Sequence, residues 1–155
     1  MTRTIEPVRT SVTVHRSPED AFLLFTRDMG TWWPLEMHSL AVDEYAGRVR
    51  VEGLEFEGRR GGRIVERLSD GTQGTWGTVL VWEPPVRVVL AWKPNLNDAP
   101  PTELEVRFTS LGAATLVELE HRGWERLGDA AERARAGYGQ GWIGVLSHFA
   151  TAADG

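Results

Sequence analysis

Apolar and polar positions change their period three times along this 155-residue chain. In residues 8–15, VRTSVTVH, they alternate, which predicts a strand with Val8, Val12 and Val14 on one face. In RSPEDAFLLFTRD the spacing becomes helical: Ala21, Phe22 and Phe25 form the buried stripe, extended by Leu24 or Met29. Ser17 can accept a bond from the Asp20 N–H and Pro18 suits the first helical position, so the helix entry is capped. Gly30 is expected to end it, and TWWPLEMHS, residues 31–39, follows at once.

From about residue 45 to 122 the period is that of strands. GRVRVEGLEFE alternates through Val49 and Val51, then Leu54 and Phe56, with Gly53 marking a bulge or break. GGRIVERLSDG predicts a strand closed by the turn Ser69-Asp70-Gly71. GTWGTVLVWE is apolar on both faces, which places it centrally in a sheet. Pro84-Pro85 forces a turn, and VRVVLAW then sets Val86, Val88, Leu90 and Trp92 on one face. After the polar loop 93–101, TELEVRFTS turns Leu104, Val106 and Phe108 inward and Glu103, Glu105 and Arg107 outward. TLVELEHR does the same with Val117, Leu119 and His121 inward.

The last segment is helical again. Ala131, Ala134, Tyr138, Trp142, Val145 and Phe149 recur at steps of three and four. Glycines 137, 139, 141 and 144 weaken this helix by about 1 kcal/mol each against alanine, which implies a kink or a close approach to the sheet. Strand, helix, about six antiparallel strands and a long terminal helix make an α+β layout, in which the last helix covers one face of the sheet.

This length is expected to form one domain, 1–155, with a core that needs no staples. With no cysteine, disulfides, thiolate metal sites and a cysteine nucleophile are excluded, which fits a reducing cytoplasm. The opening MTRTIEPVRTSVTV has no apolar core of signal-peptide length, and no run is long enough to span a membrane. The net charge of −5, with both signs scattered, offers no basic face for nucleic acid.

Candidate chemistry is sparse. GQGWIG, residues 139–144, matches G-x-G-x-x-G by letter, but a helical stripe precedes it where a dinucleotide fold needs a strand. His38 and Ser39 lack a nucleophile elbow and a third partner, so His38 reads as a polar group on a loop or cavity rim. His121 is aimed at the covered face, either as a core-edge histidine bonded to a carbonyl or as a ligand contact or acid–base group. Glu66 shares a face with Ile64 and Leu68, so it either points inward or is turned out by a bulge; Glu66 and His121 would make an acid–base pair if they met. The four histidines have no metal-ligand spacing, and no cofactor is called for. The seven tryptophans suit a cavity lined for an apolar or aromatic ligand.

Taken together, DGTQGTWGTVLVWEPPVRVVLAW, TELEVRF, TLVELEHRGWERLG and GQGWIGVLSHF, with the opening SVTVHRSPEDAFLLFT, resemble the activator of heat-shock-protein-90 ATPase homologue family of the SRPBCC, or START-like, superfamily. The resemblance covers essentially the whole chain through the order and spacing of these segments. It implies a helix-grip fold: a curved antiparallel sheet of six to seven strands wrapped around the C-terminal helix, short helices after the first strand, and a cavity between sheet and helix. The function it implies is the binding of a small hydrophobic or amphipathic molecule. Trp33, Trp76, Trp92 and Trp142 are expected on the cavity wall, His38 at its rim, and His121 or Glu66 on the polar head of the ligand. The alternatives are a cofactor-independent cyclase, isomerase or hydrolase using the same cavity, and a chaperone-related interaction domain. The assembly is expected to be a monomer or a homodimer.

Overall fold

The computed structural model describes residues 4–155, so the first three residues of the expected domain lie outside the described residues. Strand β1 (Val8–Val14) buries Val8 and Val14 at its ends, as its alternation predicts. Helix α1 (Pro18–Phe25) begins with the Ser17 hydroxyl accepting from the Asp20 N–H, and it buries Ala21, Phe22 and Phe25. It stops at Phe25, earlier than Gly30, because the chain tightens into a 3₁₀ turn at Met29–Thr31. Gly30 serves packing instead: a Cβ there would press on the Leu54 backbone oxygen at 3.0 Å. A short helix α2 (Leu40–Asp43) follows, with Ser39 as its cap.

Six more strands complete the sheet: β2 (Val51–Phe56), β3 (Arg63–Leu68), β4 (Gln73–Glu83), β5 (Arg87–Trp92), β6 (Thr102–Ser110) and β7 (Thr115–Arg122). Their spatial order is β1-β7-β6-β5-β4-β3-β2, and all the pairs are antiparallel. Consecutive strands from β2 to β7 are neighbours, so short turns suffice, and β1 closes the sheet against β7.

Bulges give the sheet its curvature. In β2 the register slips between Val51 and Gly53, at the expected position. In β4 it slips at Trp76, opposite the step from Ile64 to Val65, and again at Leu80. These slips account for the two-sided apolar pattern of β4: the inward positions run Trp76, Val79, Trp82, and the extra residue Leu80 is 42% exposed. Because the Trp76 bulge lies on β4, β3 keeps its own alternation and Glu66 points inward. Val86 departs from the expected face; it precedes β5 in the turn and is exposed.

After β7 the chain reverses at Gly123, whose φ of 87° is left-handed backbone that a side chain would strain. A 3₁₀ segment (Trp124–Ala130), broken at Gly128, leads into helix α3 (Ala131–Asp154). The helix is continuous through its glycines. A Cβ on Gly139 or Gly141 would meet Val8 or His38 only at ordinary contact distance, 3.9 Å, and one on Gly137 or Gly144 would meet nothing, so these glycines mark neither a kink nor a close approach. The inner face of the sheet, α1 and α3 share one core in which Phe22, Phe25, Phe108 and Phe149 pack edge to face.

Candidate functional site

Away from that phenylalanine cluster, sheet and α3 separate enough to leave a cavity of about 360 Å³. Four tryptophans face it. Trp33 lies at their centre, 5.1 Å from Trp76, 6.0 Å from Trp92 and 5.9 Å from Trp142 between ring centroids. The bulge of β4 presents Trp76, the end of β5 presents Trp92, and the glycine-rich stretch of α3 brings up Trp142 with Tyr138 stacked beside it. The rim comprises His38, Ser39, Asp43 and Glu44 around α2, and Pro94 and Asn95 of the loop after β5.

Of the residues singled out by sequence, Trp33, His38, Trp76, Trp92 and Trp142 line this cavity, whereas Glu66 and His121 do not. Glu66 is fully buried and its carboxylate accepts three N–H bonds. Oε1 takes the Leu40 amide and the Trp76 indole, each at 2.8 Å, and Oε2 takes the Ala41 amide at 3.0 Å. A buried carboxylate requires such partners. The result ties the first turn of α2, and with it the rim, to a tryptophan of the wall.

His121 does the equivalent on the other side. Its Nδ1 accepts from the Trp142 indole at 2.9 Å, and its Nε2 lies 2.6 Å from Thr102 Oγ1. An indole N–H can only donate, so Nδ1 is unprotonated and the ring carries its proton on Nε2. That proton is donated to Thr102, whose hydroxyl donates in turn to the Trp92 carbonyl at 3.3 Å. Two rings pack against the imidazole, Trp124 at 4.1 Å and Tyr138 at 4.7 Å, and they touch each other at 5.5 Å. Burial pushes its pKa down to about 3, so the ring is neutral throughout the ordinary pH range. Glu66 and His121 share no hydrogen bond; each supports a different tryptophan from behind.

Two polar atoms of lining residues are buried without a partner, Trp92 Nε1 and Asn95 Oδ1. Burial raises the Tyr138 phenol to about 12, and the neighbouring Trp92 N–H, which stands outside hydrogen-bond geometry, acts in the opposite sense. Sequence reasoning passed over Asp43, Asn95 and the cavity role of Tyr138. Tyr138 stands on the helical stripe, but Asp43 sits at the end of a four-residue helix that no periodicity marks. Among the described residues no group of three or more His, Asp or Glu is placed to hold a metal, and no helix is long and apolar enough to cross a membrane.

Solved structures share this architecture. An anthrahydroquino-γ-pyrone synthase, Txn09, solved as a complex with SUM, is 36% identical, with 84% of each chain covered and a TM-score of 0.56. The Aha1 dimer from Colwellia psychrerythraea is 18% identical over 97% of each chain, TM-score 0.67. CalU16 from Micromonospora echinospora is 20% identical over 96% of this chain and 77% of that one, TM-score 0.59. No curated protein sequence matches the chain. Residues 15–154 match the family described as activator of Hsp90 ATPase homolog 1-like protein. With a helix-grip fold and a match over nearly all its length, the chain belongs to that family.

Proposed function

We propose that the protein binds a small, flat, largely apolar molecule between the tryptophan wall and α3. The observation that carries this is the cavity itself: about 360 Å³, faced by Trp33, Trp76, Trp92 and Trp142, with a few polar groups at one end. Ligand sites of small molecules combine such a volume, of about 300 Å³ or more, with apolar walls and few polar anchors. Four indoles present faces and edges suited to an aromatic ring system, and the hydrophobic contact supplies the affinity. The 36% identity to a protein named as the synthase of an anthrahydroquino-γ-pyrone favours a fused-ring ligand with ring oxygens. His38 meets the ligand at the rim. Glu66 and His121 act at one remove, by holding Trp76 and Trp142 in place.

Native mass spectrometry of the purified protein, together with tryptophan-quenching titrations using naphthalene-based ligands, tests this reading. A released small-molecule adduct or saturable quenching, either of them lost in Trp33→Ala, is the expected result. Neither adduct nor saturation contradicts it.

A further inference from the structure

The polar groups around the cavity divide into those already used and those left over. The Ser39 hydroxyl accepts from the Val42 amide at 3.2 Å, and the Glu44 carboxylate accepts from the Leu96 amide at 3.2 Å, which joins α2 to the loop after β5. Among the described residues, the side chains of His38 and Asp43 have no hydrogen bond inside the protein, and Trp92 Nε1 is a buried donor with no acceptor. An N–H left unpaired in a residue only 2% exposed costs folding free energy, and the wall of a cavity is where a ligand atom can recover it.

Asp43 lines the same cavity at its rim. As a residue it is exposed, yet its carboxyl has a raised pKa, first through burial; the His38 charge opposes this, and Glu44 and Glu66 add to it. It also lies near enough to Tyr138 for its charge to act on the phenol. One mouth therefore holds a carboxylate, an imidazole and a phenol, and the adjoining wall holds an unsatisfied N–H donor.

We propose that the cavity moves a proton as well as holding its ligand: Asp43 takes it from a carbon next to a ligand carbonyl, and the Trp92 N–H receives the carbonyl oxygen as that oxygen gains charge. The inference rests on the cavity's being a ligand site. In the step, the C–H bond breaks and its electron pair forms the C=C bond of an enolate. The π pair of the carbonyl moves to oxygen, and the proton ends on the Asp43 carboxylate. Returning it to the same carbon regenerates the ketone, and returning it to another carbon of a conjugated enolate isomerises it, so no oxidant or co-reactant enters. Tyr138, which covers the Trp92 N–H, turns aside to admit the oxygen and donates to it as a second partner. His38 supports the charge on Asp43. The substrate class is an aryl-fused ketone with enolisable hydrogens.

The probe is 2-tetralone, a bicyclic ketone, incubated with the full chain in deuterium oxide. Deuteration at the two carbons next to its carbonyl is followed by NMR, and binding by tryptophan quenching. The wild type is expected to speed exchange over buffer, and Asp43→Asn to lose this by on the order of a hundredfold while its Kd stays within about threefold. Tyr138→Phe is expected to slow exchange more than it weakens binding. Lys93, the only lysine, could exchange the ketone through an imine, so Lys93→Arg must retain the activity. Binding without accelerated exchange, equal exchange in Asp43→Asn, or loss in Lys93→Arg overturns the proposal and leaves the binding reading intact. Tetralone that quenches no tryptophan overturns the proposal, and the binding reading falls with it only if native mass spectrometry also finds no adduct.

Discussion

Replacing Glu66 with glutamine keeps the size of the side chain and changes only what it offers to three fixed N–H donors. The carboxylate accepts from Leu40, Ala41 and the Trp76 indole at 2.8–3.0 Å, with no access to water. A glutamine can place its carbonyl oxygen at the Oε1 position and keep the Leu40 and Trp76 bonds. Its NH2 group then confronts the Ala41 N–H, donor against donor. Losing that bond and leaving the amide buried costs about 2 kcal/mol, and turning two charge-assisted bonds into neutral ones costs about 1 kcal/mol more. The sum, about 3 kcal/mol, corresponds to a fall in Tm of about 6–12 °C at this chain length. Urea denaturation followed by tryptophan fluorescence measures it, provided the slope m is unchanged. Glu66→Met, which leaves all three donors unpaired, is expected to cost more than glutamine. A loss below about 1 kcal/mol in Glu66→Gln, or a methionine variant as stable as wild type, would refute the reasoning.

Other outcomes follow from the same geometry. The unfolded chain protonates His121 near its ordinary 6.5 while the native ring resists down to about 3, so its contribution is fully present above pH 6.5 and shrinks as the pH falls. The stability difference between wild type and His121→Gln should therefore narrow by up to about 1.4 kcal/mol per pH unit in that window and be flat above it, as read from urea midpoints. Gly77→Ala would drive a Cβ into the Ala91 backbone oxygen, which cannot swing away, and is expected to destabilise by about 1–3 kcal/mol in a thermal melt. Trp33→Ala removes the centre of the tryptophan wall; it should cost about 3–5 kcal/mol of stability and abolish saturable ligand quenching.

How much of this was legible in the sequence depended on how far the causes lie along the chain. β6, β7 and the capped α1 could be read directly, because alternation and a serine–proline entry act within a few residues. The bulges of β4 were not legible: they reveal themselves only in the register against β3 and β5, and in sequence they resemble a strand apolar on both sides. Parity with Ile64 left Glu66 either inward or turned out by a bulge, and its partners at Leu40 and Ala41 stand 26 and 25 residues away on a helix too short to have a period. His121 was aimed correctly toward the core, whereas the indole that takes up its Nδ1 comes from α3. In both cases polarity on an apolar face was visible, and the long-range partner that turns it into a support for a tryptophan was not. Within TWWPLEMHS, Trp33 belongs to the wall and His38 to the rim, and the Trp33 indole donates to the His38 carbonyl at 2.8 Å, so the segment holds its own shape.

The central claim is that four of the seven tryptophans form a ligand site and that Trp92 alone of them holds an N–H in reserve. Indole N–H signals in a ¹⁵N–¹H correlation spectrum, assigned by single Trp→Phe variants and titrated with 2-tetralone, address it directly. The account predicts that the Trp33, Trp76, Trp92 and Trp142 signals move, with Trp92 moving furthest downfield as it gains its acceptor, and that Trp82 and Trp124 stay in place. Shifts spread evenly over all seven indoles, or a Trp92 signal that does not respond, would contradict it.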